Sequence, residues 1–255
     1  MSIFLQSLSS EWLKRKRTAA AWLVVIGGVF IPSLVIFARV IESGGLAAAN
    51  ESPRLWEALY ARCWQVMGFF LLPIGVILAT SLIAQLEFRN NSWKQLHTTP
   101  QPLYVIFFSK LTVVLVMLVQ WFILFNICIY LTGVLPCLFV RHVPYPPEPI
   151  PLRMFLEGSG AFFLDALPIV ALQYLVSLQW KNFLAPLGVG FGLYVASVVA
   201  VHWRYGYWLP YTYCYYESLG ARSPVDVSIH WWAVGYFMLF TVVGYILYIS
   251  KKEKG

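Results

Sequence analysis

The chain has little charge. Only 11% of its 255 residues are Asp, Glu, Lys or Arg, where a soluble globular domain carries about 25%. That is too little to cover a water-facing surface. With 60% hydrophobic residues and a mean hydropathy of +0.70, a polytopic membrane protein is the class that remains. The apolar runs are continuous rather than alternating, which favours helices over a β-barrel. The four cysteines, Cys63, Cys128, Cys137 and Cys214, form no Cys-x-x-Cys pair, so neither a zinc site nor a redox motif is indicated. There is no Gly-Lys dipeptide and hence no phosphate loop, so the chain has no nucleotide cradle of its own. It also lacks a basic, aromatic groove, which argues against a nucleic-acid partner. Internal repeats, low-complexity tracts and a separate soluble domain are absent, and residues 1–255 read as one transmembrane domain. No catalytic group is assigned: Asp165 stands isolated and the histidines fall at the ends of apolar stretches, so an intramembrane enzyme is disfavoured.

What is present is a series of apolar stretches, 19–40, 63–86, 103–135, 155–178, 183–202 and 229–249. At 1.5 Å per residue each suits a hydrocarbon core of about 30 Å. The expectation is an all-α membrane protein with six transmembrane helices. A signal peptide is the rival reading of 19–40, because Ala47-Ala48-Ala49 resembles a cleavage site. The apolar region is too long for one and starts too far from Met1. Pro73 and Gly75 are expected to bend the second span. The third is longer than a bilayer needs, so tilt or protrusion is expected.

Residues 1–18 read as an interfacial elbow helix. Phe4, Leu5, Leu8 and Trp12 form its apolar face, and Ser7, Ser9, Ser10 and Glu11 its polar one. Glu11 is placed to pair with Arg15 at i+4. The basic run Lys14-Arg15-Lys16-Arg17 and the tail residues Lys251, Lys252 and Lys254 put both termini in the cytoplasm. Arg39, Arg54, Arg62, Arg141, Arg153, Arg204 and Arg222 fall outside or at the outer edge and weigh against that bias. The segment 136–153 is a proline-rich outer connector. The segment 203–228 is an outer stretch crowded with aromatics. Cys137 and Cys214 both fall on the outer side, which leaves a disulfide and two free thiols equally open.

One short polar stretch, 86–102, hangs between the second and third spans. Asn90, Asn91 and Ser92 suit an N-cap, and Pro100 and Pro102 forbid continuation, so a helix of about two turns fits between them. Trp93, Leu96 and His97 share one face at i, i+3, i+4. Trp93 and Leu96 are apolar groups that a free loop would strand, which suits a grip for a soluble partner, although Trp93 also suits an interfacial anchor.

Within the spans, Asp165, Gln173, Gln120 and Asn126 are the candidate transport path. Hydrogen bonds that hold a helical bundle together are the favoured reading of the same residues. Trp203, Tyr207, Trp208, Tyr211 and Tyr213 are the candidate outer lid, with interfacial anchoring as the plainer reading. His202, His230 and Cys214 lack ligand-like spacing, and no metal site is assigned.

The run Glu87-Phe88-Arg89-Asn90-Asn91-Ser92-Trp93-Lys94-Gln95-Leu96-His97-Thr98-Thr99-Pro100, followed by Ser109-Lys110-Leu111, resembles the region between the second and third spans of type-2 ABC exporter permeases. The similarity is closer to the bacterial lantibiotic-immunity and bacitracin-resistance branch. Glu11-Trp12-Leu13-Lys14-Arg15-Lys16-Arg17-Thr18 likewise resembles that family's N-terminal elbow. The resemblance implies that the polar stretch is a cytoplasmic coupling helix, with Glu87, Arg89, Asn90, Trp93, Lys94, Leu96 and His97 meeting an ABC ATPase subunit. It implies a second permease subunit, with ATP and Mg carried by the ATPase and no cofactor in this chain. It further implies a bacterial cytoplasmic (inner) membrane, contact with membrane lipid, and export or extraction of an amphipathic peptide, antibiotic or lipid-like substrate. Short outer helices before the last span are expected from 208–219. The aromatic outer segment and the proline-rich loop depart from the family pattern. A non-transport scaffold or sensor subunit is the alternative.

Overall fold

The computed structural model describes residues 3–16, 18–41, 43–89, 101–220 and 228–252. All regular structure among them is helical. The helices are α1 (Ile3–Arg15), α2 (Ala19–Ile41), α3 (Leu46–Glu51), α4 (Leu55–Val66), α5 (Leu72–Arg89), α6 (Leu103–Phe139), α7 (Leu152–Gln179), α8 (Leu184–Ala200), α9 (Tyr213–Leu219) and α10 (Ile229–Lys252). A π-helical turn, Met67–Leu71, joins α4 to α5. Five helices are long and apolar enough to cross a membrane: Ala19–Ile41, Leu55–Leu86, Leu103–Phe139, Leu152–Gln179 and Ile229–Ser250. The remaining apolar stretch, expected at 183–202, forms α8 with 17 residues. At 1.5 Å per residue that is about 25 Å, short of the hydrocarbon thickness.

Several boundaries differ from expectation. The second long helix starts at Leu55, not near 63. Residues 41–56, read as a loop, contain a 3-10 turn and α3. The third runs through Pro136 to Phe139. Proline inside a helix frees the carbonyl four residues back, and here Arg39 Nη1 donates to that carbonyl, Thr132 O. The same device operates at Pro73, which cannot donate to Phe69 O. Tyr194 Oη donates to it instead, at 3.0 Å, and a π-helical turn, Met67–Leu71, precedes the proline.

The helices are sided as lipid solvent requires. On α2, Trp22, Ile26, Phe30, Leu34, Phe37 and Ile41 recur at helical spacing and face outward. Val24, Ile31, Val35 and Arg39 face inward. Hydrophobicity gives little drive for association in lipid, so close approach through small residues matters. The Trp121 indole of α6 is wedged against Gly27 of α2 and Gly75 of α5, where an added Cβ would lie 2.3 Å and 2.0 Å from its ring.

α1 follows the expected siding only in part: Leu8 and Trp12 pack against the core, and Ser9 and Ser10 are exposed. Its polar stripe Ser7, Glu11, Arg15 is buried, while Ile3, Leu5 and Leu13 are exposed. The stripe lies along the first half of α6. Ser7 Oγ is 3.0 Å from Ser109 Oγ, and Lys110 Nζ is 2.8 Å from Glu11 Oε2. The expected Glu11–Arg15 pair does not form. Glu11 takes Lys14 and Lys110, and Arg15 stacks on Trp12.

After α8 the chain folds into a cap of two 3-10 turns, Gly206–Trp208 and Pro210–Thr212, and then α9. This agrees with the short helices expected from 208–219. α9 stops at Gly220, whose φ of 57° is the left-handed conformation that glycine tolerates at a helix end. The cap packs on α7, α8 and the π-helical turn. α10 packs chiefly on α7 and leaves Trp231, Met238, Leu239, Val242 and Ile246 exposed.

Candidate functional site

α7 is the most enclosed of the long helices, and its polar residues meet partners from several elements. Asp165 is buried, yet His230 Nδ1 at the start of α10 lies 2.9 Å from its Oδ1. The sequence leaves Asp165 isolated, whereas the fold supplies a partner 65 residues away. The other oxygen, Oδ2, is buried with no hydrogen-bond partner. An acid and an imidazole at this distance can share one proton without exposing a bare charge to hydrocarbon.

Two turns further along α7, Gln173 ties four elements together. Its Nε2 donates to Ser81 Oγ of α5 at 3.2 Å and to Pro186 O of α8 at 2.8 Å. Its Oε1 accepts from Tyr211 Oη of the cap at 3.3 Å. Ser81 and Ser177 hydroxyls lie 3.3 Å apart beside it. The side chain is therefore fully used.

The other path candidates sit on other seams. Arg15 Nη1 donates to Gln120 Oε1 at 2.9 Å, where α1 meets α6. Asn126 Nδ2 donates to Ser159 Oγ at 2.8 Å, and its Oδ1 accepts from Trp64 Nε1 at 3.4 Å. Asp165, Gln173, Gln120 and Asn126 thus do not converge on one surface. Each closes a different helix–helix contact.

The lid candidates divide. Tyr211 and Tyr213 are buried, and Tyr213 Oη donates to Tyr207 O at 2.7 Å. Trp203 and Trp208 are exposed. The cap is therefore pinned by tyrosines and shows tryptophans outward. Burial, and then the charge of Asp165, hold the Glu217 carboxyl above its usual range, while His230 pulls the other way. Cys214 is fully buried. Burial, with Asp165 and Glu217 adding to it, pushes its thiol well up, which leaves it protonated and unreactive. Cys137 Sγ donates to Pro144 O at 3.2 Å, and all four cysteines are free, so the expected alternatives resolve in favour of thiols.

Of the docking candidates, Asn90, Trp93, Lys94, Leu96 and His97 lie outside the described residues. Glu87 and Arg89 fall in the last turn of α5, where the backbone alone is described.

Sequence reasoning missed two buried polar groups. One is the Glu11–Lys110 pair, where burial opposes ionisation of Glu11 but Lys110 and then Lys14 more than offset it and hold its carboxyl below the usual range. The signal was Lys110, a lone cation inside an apolar run. The other is Arg39, whose Nη2 donates to Asn50 Oδ1 and whose Nη1 donates to Thr132 O. Asn50 Nδ2 in turn donates to Pro144 O at 3.0 Å, holding the proline-rich connector down.

The family model described as ABC-2 family transporter protein matches residues 7–197. No curated protein and no solved structure matches the chain.

Proposed function

The chain belongs to the ABC-2 family of transporter proteins, and on that premise we propose that it is the permease half of an ATP-driven exporter, moved by an ATPase that grips residues 87–97. That it is a multi-pass transmembrane component of an ABC transporter, and not itself the catalytic part, follows from the family and the five long apolar helices. The carrying observation is the match itself: it runs from α1 into α8 and includes the polar stretch between α5 and α6. The absence of a phosphate loop agrees with ATP and Mg being bound on another chain.

In this reading α8 is the fifth of six spans, both termini are cytoplasmic, and the Leu103 end of α6 faces the ATPase. Trp93 and Leu96 supply apolar docking contacts, and Glu87, Arg89, Asn90, Lys94 and His97 orient them. α6 has 37 residues, about 55 Å at 1.5 Å each, long enough to carry a tilt to the Arg39–Asn50 contact near its far end. The cap packs against α7, where Tyr211 reaches Gln173, and its exposed Trp203 and Trp208 face an amphipathic peptide, antibiotic or lipid-like cargo. The Asp165–His230 pair lies beside the cap, and a second permease subunit completes the path in a bacterial cytoplasmic membrane. The resemblance to lantibiotic-immunity and bacitracin-resistance permeases supports that class of cargo.

Co-purification tests the grip. Replacing Trp93 and Leu96 with Asp is expected to cut the co-purified ATPase about tenfold or more, since two desolvated apolar anchors carry much of such an interface. A complex of unchanged stability overturns it. In vesicles, cargo-stimulated ATPase activity separates transport from a scaffold role.

A further inference from the structure

Where the last turn of α2 meets α3 and the start of α4, a cavity of about 390 Å³ opens to the surface. Arg39, Arg54 and Arg62 line it, and no carboxylate among the described residues does. Leu46, Leu55 and Leu59 also line it and are buried. Arg39 is buried and donates to two neutral oxygens, and no carboxylate among the described residues pairs with it. Arg54 and Arg62 are exposed, and neither has an ion pair among the described residues. Arg62 is close enough for its charge to bear on Arg39. Three guanidinium groups around one cavity repel one another unless an anion joins them. Nothing in the described chain supplies that anion.

We propose that this cavity is a binding site for the phosphate of a membrane-lipid headgroup, held by Arg39, Arg54 and Arg62. Guanidinium forks match phosphate oxygens in pairs and are the favoured partner for them. The apolar wall of Leu46, Leu55 and Leu59 lies beside the cations, as a headgroup joined to an acyl chain requires. The volume agrees. A water occupies about 30 Å³ of liquid, so the cavity takes a headgroup with the start of its chain rather than a lone ion. The site sits at the end of a long apolar helix, at the level where a leaflet's phosphates lie. Its assignment to the outer leaflet rests on the orientation proposed above, whereas binding itself does not.

Native mass spectrometry of the detergent-purified chain tests this with three probes: phosphatidylglycerol, phosphatidylcholine and inorganic phosphate. The expected result is preferential retention of phosphatidylglycerol, weakened about tenfold or more in R54Q/R62Q, two changes at exposed positions that leave the Arg39 contacts intact. The double change R141Q/R153Q removes the same charge elsewhere on the surface, and it is expected to retain lipid as the unaltered chain does. Equal loss in both variants reduces the effect to net charge and overturns the proposal. Saturation by inorganic phosphate with no preference between the lipids assigns the arginines to a free anion, and overturns the lipid assignment. Unchanged retention in R54Q/R62Q overturns the site altogether.

Discussion

Lys110, near the Leu103 end of α6, and Arg39, packed against its far end, are both withdrawn from solvent, at 1% and 8% exposure. Lys110 meets a carboxylate, Glu11, carried in by α1. Arg39 meets a carbonyl freed by Pro136 and an amide, Asn50. The first arrangement neutralises charge and fastens one helix to another. The second satisfies geometry and leaves the charge standing. Burial by itself therefore says little about what a cation does. The compensated end reads as structure, and the uncompensated end as a place for something from outside.

The sharpest way to break the contrast is to remove a partner at each end. Lys110→Met leaves Glu11 enclosed with only the half-exposed Lys14. Removing one partner of a buried pair costs roughly 3 kcal/mol or more, and thermal unfolding in detergent is expected to show it. Adding Glu11→Gln to Lys110→Met is expected to recover most of that loss, because the stranded charge goes with it. A double variant as unstable as the single one would show that packing, not charge, dominates the α1–α6 contact.

At the other end Asn50→Ala strips Arg39 of one acceptor and frees the connector at Pro144. A buried donor left unsatisfied costs about 2 kcal/mol, again read from unfolding. Asn50→Asp is expected to behave differently. It keeps the acceptor and sets a countercharge against Arg39, so it should weaken retention of phosphatidylglycerol, while losing the Nδ2 donor to Pro144 O as Asn50→Ala does.

The smallest effect concerns two acids with opposite displacements. Glu11 titrates lower in the folded chain than unfolded. Its contribution to stability is complete above the unfolded carboxylate value, about 4.3, and is lost as pH falls through the folded value. Glu217 titrates higher when folded, so the folded state holds the proton more tightly. It subtracts stability as pH rises through the window between the two values, and the penalty is full above the folded one. Unfolding followed against pH is expected to show Glu11→Gln flattening the acid limb, on a midpoint lowered throughout because Lys110 is left buried without its carboxylate. Glu217→Gln is expected to raise the midpoint at neutral pH and leave it unchanged in acid.

Much of the architecture could be read from the residues because its signals are local. Continuous apolar runs gave five of the spans within a few residues at most ends, and the short helices of the cap were expected from 208–219. The errors have local causes as well. Pro136 reads as a stop, yet Arg39 satisfies the carbonyl it frees. The start at Leu55 was hidden by charged residues at 54, 57 and 62, which an amphipathic first turn tolerates. On α1 the expected faces are split, with Leu8 and Trp12 turned inward beside Ser7 and Glu11, because amphipathicity does not reveal a polar seam on the facing helix.

The candidate residues were legible one at a time and not as pairs. Asp165 was recognisable as costly in hydrocarbon, but nothing in a spacing of 65 residues points to His230. The proposed path residues could be listed, while their separation onto different seams depends on helix rotation, which one sequence does not fix.

The sequence by itself determined the solvent and the number of apolar stretches, because each follows from composition and from runs that are local in the chain. Tertiary structure alone decided which charges are answered. Whether a buried group finds a carboxylate, a freed carbonyl or nothing is set by how helices far apart in sequence are rotated against one another. That rotation turns Glu11 towards Lys110 and leaves Arg39 facing an open cavity.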